Sequence, residues 1–276
     1  MKLKLIVSIL IICKVLYSQI NINDNYIFYK DIPYYKNTSD TLIAKRCLLD
    51  IAVPKNKKND VVIVWFHGGG LCGGEKYFPN ILLNGENIIV SASYRLYPNV
   101  KSPTYIYDAA AALSFVLENI EKYGGNKNKI VVAGHSAGGY LTLMIGMDNK
   151  YLNKFNHSNK EIKFLVPLSP QVITHFTIRK EKNISENTVV VDSLAPIYHL
   201  NKYCPPIHVI CGDRNLELFG RYEENLYFYR MSLQNGKKDV YLYELQGFDH
   251  GDMVDPGCML LLKIIRNFKY FWVKFH

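Results

Sequence analysis

From about residue 45 the chain alternates short β-rich runs with longer stretches of helical periodicity, a pattern that restricts it to a mostly parallel sheet covered by helices. The runs at 61–66, 87–92, 129–133, 162–168, 207–211 and 240–245 are rich in Val, Ile, Leu or Tyr and end in polar or turn-forming residues. They are apolar almost without interruption, which predicts strands buried on both faces. Helices are predicted at 105–123, 138–147, 220–234 and 257–275. In the first of these, Ala110, Leu113, Val116, Leu117 and Ile120 recur at helical spacing and Gly124-Gly125 close the element. A chain of 276 residues with 49% hydrophobic content can bury a large core, and residues 19–276 are read as a single domain.

Two stretches depart from this rhythm. Residues 171–200 are longer than an ordinary connection and mix Arg179, Lys180, Glu181 and Lys182 with apolar Val189–Val191, as a small cap insertion would. Residues 19–44, rich in Tyr and Asn, are expected to form a leading strand or arm. Ahead of them, Lys2 and Lys4 precede an apolar run from Leu5 to Cys13, and a small residue, Ser18, stands before Gln19. That is the anatomy of a signal peptide over residues 1–18, too short and too interrupted by Lys14 for a stable membrane anchor, and it predicts a secreted or periplasmic protein.

Composition narrows the function classes further. Removing residues 1–18 takes three lysines and no acid from a formal charge of +9, leaving +6 spread along the chain with no nucleic-acid motif. Five cysteines remain: Cys47, Cys72, Cys204, Cys211 and Cys258. Their odd number and irregular spacing describe neither a disulfide framework nor a zinc site, so they read as mostly buried thiols with at most one bridge.

The strongest chemical signal is Gly134-His135-Ser136-Ala137-Gly138-Gly139, set between the 129–133 strand and a helix. A serine on a tight strand-to-helix turn needs small neighbours, because the backbone is strained and side chains there would strike the adjacent elements. The turn also puts Ser136 at a helix N-terminus, whose free N–H groups favour developing negative charge. Earlier in the chain, His67-Gly68-Gly69-Gly70 follows the 61–66 strand. Successive glycines let a backbone loop approach a substrate closely, so the N–H groups of Gly69, Gly70 and Ala137 are the candidate oxyanion hole. His67 is read as a residue that orients this loop. For the base, His250 in Gly247-Phe248-Asp249-His250-Gly251 follows the last strand and precedes the last helix, where this chain order requires it. His157, His175, His199 and His208 are read as structural.

Together with Tyr94-Arg95-Leu96-Tyr97-Pro98, Asp108 and Ala195-Pro196, these motifs resemble the hormone-sensitive-lipase-like and bacterial feruloyl and acetyl-xylan esterase branch of the α/β-hydrolases, over residues 60–255. The resemblance implies the α/β-hydrolase fold and hydrolysis of carboxylic esters, small or carried on a saccharide, without metal or cofactor. It names no particular substrate and no oligomeric state. It also implies an acid after the 207–211 strand, and there the pattern breaks: Asn215 occupies the usual acidic position in Gly212-Asp213-Arg214-Asn215-Leu216-Glu217. An amide can hold an imidazole but cannot stabilise the imidazolium by charge. Glu217, with the longer reach, is preferred as the acid and Asp213 is the alternative. Two rival readings stay open: an amidase or peptidase using the same residues, and a catalytically impaired binding protein.

Overall fold

The computed structural model describes residues 25–36, 38–56 and 60–273, with side chains as far as 267; the signal-peptide segment lies outside the described residues. The elements in order are β1 (Tyr26–Pro33), α1 (Thr41–Arg46), β2 (Leu48–Pro54), β3 (Val62–Phe66), β4 (Ile88–Ala92), α2 (Thr104–Asn119), β5 (Ile130–His135), α3 (Ala137–Met147), α4 (Lys150–Asn153), β6 (Ile162–Leu168), α5 (Phe176–Glu181), β7 (Ile207–Gly212), α6 (Arg221–Gln234), β8 (Val240–Leu245) and α7 (Val254–Val273).

One sheet runs β1-β2-β4-β3-β5-β6-β7-β8. Strands β3 to β8 pair in parallel, while β2 lies antiparallel to β4 and β1 antiparallel to β2. Because side chains alternate along a strand, each parallel strand serves two cores. Val62, Val64, Phe66, Ile130 and Val132 face the helices α2, α3 and α6. Ile63, Trp65, Val131 and Ala133 face α7 and the 78–83 segment. This double burial is what the uninterrupted apolar runs foretold.

The sequence expectations need adjustment at the margins. The predicted 105–123 helix is α2 followed by a 3-10 turn over Ile120–Tyr123, which Gly124 ends at φ +77°. The last helix starts at Val254 rather than 257, since the first turn carries the acidic and Pro residues that suit a helix start. The strand β2 is absent from the predicted runs; its apolar run is interrupted by Asp50, whose carboxylate receives the Asp31 N–H and the Lys76 ammonium. Residues 19–44 hold β1 and most of α1. The 171–200 segment contributes α5 and a 3-10 turn over Pro196–His199. The cysteines of the described residues are unbridged, and Cys72 alone among them is exposed. Among the described residues no helix is long and apolar enough to cross a membrane.

Chain order reverses between β3 and β5, which are neighbours in space although β4 separates them in sequence. In open parallel sheets such a switch point opens a crevice at the carboxyl ends of the strands. The glycine loop leaves β3 and Ser136 leaves β5 at that crevice. Glu217 and His250 follow the same ends of β7 and β8.

Candidate active site

Ser136 has φ +55° and ψ −114°, a conformation that costs a non-glycine residue on the order of 1–3 kcal/mol and persists only where surroundings impose it. Its N–H donates to Leu168 O at 2.8 Å and its carbonyl accepts the Tyr140 N–H at 2.9 Å. The flanking glycines explain themselves sterically. A Cβ on Gly138 would lie 2.0 Å from Phe66 O, and one on Gly134 2.5 Å from the Gly138 carbonyl carbon.

The glycine loop comes up beside this turn: a Cβ on Gly68 would stand 3.5 Å from Ser136 Cβ. Gly69 and Gly70 have φ of +104° and +62°. Among the described hydrogen bonds, the N–H groups of Gly69, Gly70 and Ala137 have no acceptor, as a site awaiting an anion requires. The loop is held by other atoms. Cys72 and Gly73 donate to Gly69 O at 3.1 and 2.9 Å. Arg46, at the end of α1, donates from Nη2 to Gly74 O at 2.8 Å and from Nε to Tyr94 O at 3.3 Å. His67 stacks on Tyr94, ring centroids 4.4 Å apart, and its Nδ1 lies 2.7 Å from Gly68 O. Burial pushes the His67 imidazole down to about 4, so it is neutral, as suits a structural member of the loop.

From the 171–200 segment, α5 leans on the same loop. Thr177 Oγ1 donates a short hydrogen bond to Gly70 O, and the Phe176 ring would touch a Cβ placed on Gly70 at 2.9 Å. The other end of α5 is tied down by Glu181, which accepts the Tyr105 hydroxyl at 2.7 Å and the Ser102 N–H at 2.9 Å. Buried His175 caps the helix at its start, accepting the Thr177 N–H.

On the far side, His250 Nδ1 lies 2.5 Å from Glu217 Oε1. The Glu217 side chain is fully buried. Burial opposes its ionisation, but the hydrogen bond and charge of His250, with the Leu218 N–H and the Ser169 hydroxyl, outweigh it and hold the carboxyl at about 2. An ionised carboxylate only accepts, so Nδ1 carries a proton, and in the neutral imidazole Nε2 keeps its lone pair. His250 is joined to the serine turn through His135, whose Nε2 donates to His250 O at 2.8 Å.

Asp213 is elsewhere. Its carboxylate receives the N–H groups of Asn215 at 2.9 Å and Gly247 at 2.8 Å, fastening the loop after β7 to the loop after β8. Asn215 is exposed. Glu217 reaches the imidazole because Glu217 N donates to Asp213 O, a turn that brings residue 217 back over the strand end. Two participants escaped sequence reasoning, Ser169 and Arg221. Ser169 follows β6 with φ +44°, and its hydroxyl lies between Glu217 and His250. The buried Arg221 donates to Ser169 O at 2.6 Å. Neither belongs to a motif; the only sequence signal is a polar residue closing an apolar strand.

The BD-FAE family model matches residues 49–177. The chain is 26% identical over 210 residues to the esterase LipC of Mycobacterium tuberculosis, covering 69% of this chain and 51% of that protein. It is 36% identical over 105 residues to an arylesterase of Saccharolobus solfataricus, 35% of this chain and 34% of that one. It thus spans about half or less of the length of these named relatives. Among solved structures, a truncated carbohydrate esterase from gut microbiota superposes with a TM-score of 0.74 at 17% identity, covering 88% of this chain and 97% of that one. Inhibited esterase B of Lactobacillus rhamnosis gives 0.72 at 16%, over 94% and 91% of the two chains. Likeness at that level of identity speaks to the fold, and with the strand order and the turn at Ser136 it is decisive: the chain has the α/β-hydrolase fold.

Proposed function

We propose that this chain is a serine carboxylesterase acting on small acyl esters, including acyl groups carried on saccharides. The observation that carries the reading is the 2.5 Å contact between a buried, ionised Glu217 and His250 Nδ1, in a loop bonded to the turn that presents Ser136. In this mechanism Ser136 Oγ attacks the ester carbonyl while His250 Nε2 takes its proton. Glu217 stabilises the imidazolium, and the N–H groups of Gly69, Gly70 and Ala137 receive the oxyanion. Collapse returns the proton to the departing alcohol and leaves the acyl group on Ser136. Water then repeats the sequence and releases the acid. No step draws on a metal or cofactor.

The relatives named as esterases support the ester over the amide. The impaired-binding-protein reading loses its motive, because Asn215 is not the group beside the imidazole. Acylated saccharides enter because one structural neighbour is a carbohydrate esterase. Export as a secreted or periplasmic protein belongs to the same reading and rests on residues 1–18; a mature N-terminus at Gln19 in protein recovered outside the cytoplasm checks it.

Hydrolysis of p-nitrophenyl acetate, butyrate and octanoate, with matched anilides and a Ser136→Ala control, tests the activity. Turnover of esters abolished in Ser136→Ala is expected, together with labelling of Ser136 by a fluorophosphonate. Turnover equal in parent and variant, with no labelling, rules the mechanism out.

A further inference from the structure

Ser169 is fully buried and holds a left-handed backbone that an L-residue adopts at a cost. Its N–H donates to Ile210 O at 2.7 Å, on the neighbouring strand. Its carbonyl accepts Arg221 Nη1, from a residue that is itself 4% exposed. These two bonds aim the side chain. The hydroxyl donates to Glu217 Oε2 at 2.8 Å, and its oxygen stands 3.0 Å from His250 Nδ1. The Nδ1 proton is therefore shared between Glu217 Oε1 and Ser169 Oγ, while the hydroxyl proton goes to the second carboxylate oxygen.

A glutamate has one more rotatable bond than an aspartate, and each bond left free must be immobilised by contacts. At Glu217, Oε1 accepts the Leu218 N–H at 2.9 Å, but apart from Ser169 the described donor to Oε2 is the Gly212 N–H at 3.3 Å. The hydroxyl is the short bond on that oxygen.

We infer that Ser169, held in its turn by Arg221, is a positioning residue that locks the rotamer of Glu217 and keeps the His250 proton on Nδ1. The inference rests on the roles given above to Glu217 and His250.

Ser169→Gly and Ser169→Ala separate hydroxyl from backbone. Glycine accepts a positive φ without penalty, so Ser169→Gly loses only the hydroxyl, whereas Ser169→Ala keeps the strain as well. Both are expected to lower kcat on p-nitrophenyl acetate about ten- to a hundredfold, the range for one hydrogen bond to a charged group, with KM within about twofold. In a Glu217→Gln background Ser169→Gly should change kcat by less than about twofold, because the group it positions is gone. Parental kcat in Ser169→Gly, or an equal loss in both backgrounds, overturns the inference. The proton NMR resonance of His250 Nδ1–H needs no turnover: a downfield signal in the parent that moves in Ser169→Gly supports the shared bond, and an unmoved signal defeats it. Should the parent show no Ser136-dependent hydrolysis, the functional reading fails, and the NMR result still decides the positioning one.

Discussion

His135 Nε2 donates to the carbonyl of His250 at 2.8 Å, with the two rings 4.7 Å apart, so the residue before the serine is bonded to the residue proposed as its base. Burial and the neighbouring imidazole hold His135 at about 4, which keeps it neutral near pH 7. The turn and the base loop are thereby one assembly. Replacing His135 with Phe keeps the bulk and removes the donor. Expected is a fall in kcat of about tenfold with KM little changed, read from steady-state ester hydrolysis; parental kcat would show that the loop is held by the Asp213 contacts alone.

Glu217 and Asp213 differ in what they hold. Glu217→Gln keeps the shape and removes the charge that stabilises the imidazolium, and turnover should fall by about a thousandfold to ten-thousandfold. Asp213→Asn weakens two loop hydrogen bonds at a half-buried position and should leave kcat within about fivefold of the parent. Single-turnover measurement of acyl release compares them directly, and the reverse ranking would move the acid to Asp213.

How much of this could be read beforehand depends on the scale of the signal. The parallel sheet was legible because burial on both faces writes long apolar runs, and the placement of Ser136 and His250 after their strands was legible because a strained turn and a chain order leave motifs. β2 was not, since Asp50 sits where an apolar residue would signal a strand and is satisfied by Asp31 and Lys76 at a distance. Which carboxylate stands beside the His250 imidazole was legible only as a choice between two. What brings Glu217 there is a turn, Glu217 N to Asp213 O, and Ser169, which is 48 residues away in sequence.

Phe176 stands at the glycine loop with its ring close to Gly70, on a helix fastened at both ends. A substrate carbonyl held by the Gly70 N–H would have this ring beside it. Phe176→Ala should therefore raise the ratio of kcat/KM for octanoate over acetate by about fivefold or more. An unchanged ratio across the p-nitrophenyl series would place the ring outside the substrate's path.

Acid stability should reflect buried histidines before carboxylates. His67 and His135 are held at about 4, and His175 well below its ordinary value, in each case first by burial. Their unfolded forms take up protons near pH 6.5 while the folded forms refuse them. Folded-state stability is thus intact above about pH 6.5 and falls as pH drops towards 4, each histidine adding a slope of up to about 1.4 kcal/mol per pH unit. Glu217, depressed to about 2, acts in a lower window: its contribution is present above about 4.5 and is lost as pH falls through 2. Melting temperatures from about pH 7 to 4 should decline, and His67→Phe or His135→Phe should flatten the decline; a parent curve flat over that span contradicts the assignment.

Arg46 reaches from the end of α1, a helix with no buried residue of its own, to Gly74 and Tyr94 around the glycine loop. A strap of that kind contributes little to the core and much to the loop it crosses. Loosening it, by substitution or by a nick in the 38–46 segment, would leave a protein that still melts cooperatively yet no longer keeps in register the amides proposed to receive the oxyanion. Fold and chemistry therefore have different weakest points in this molecule, and damage at its rim can silence the centre while the interior stays whole.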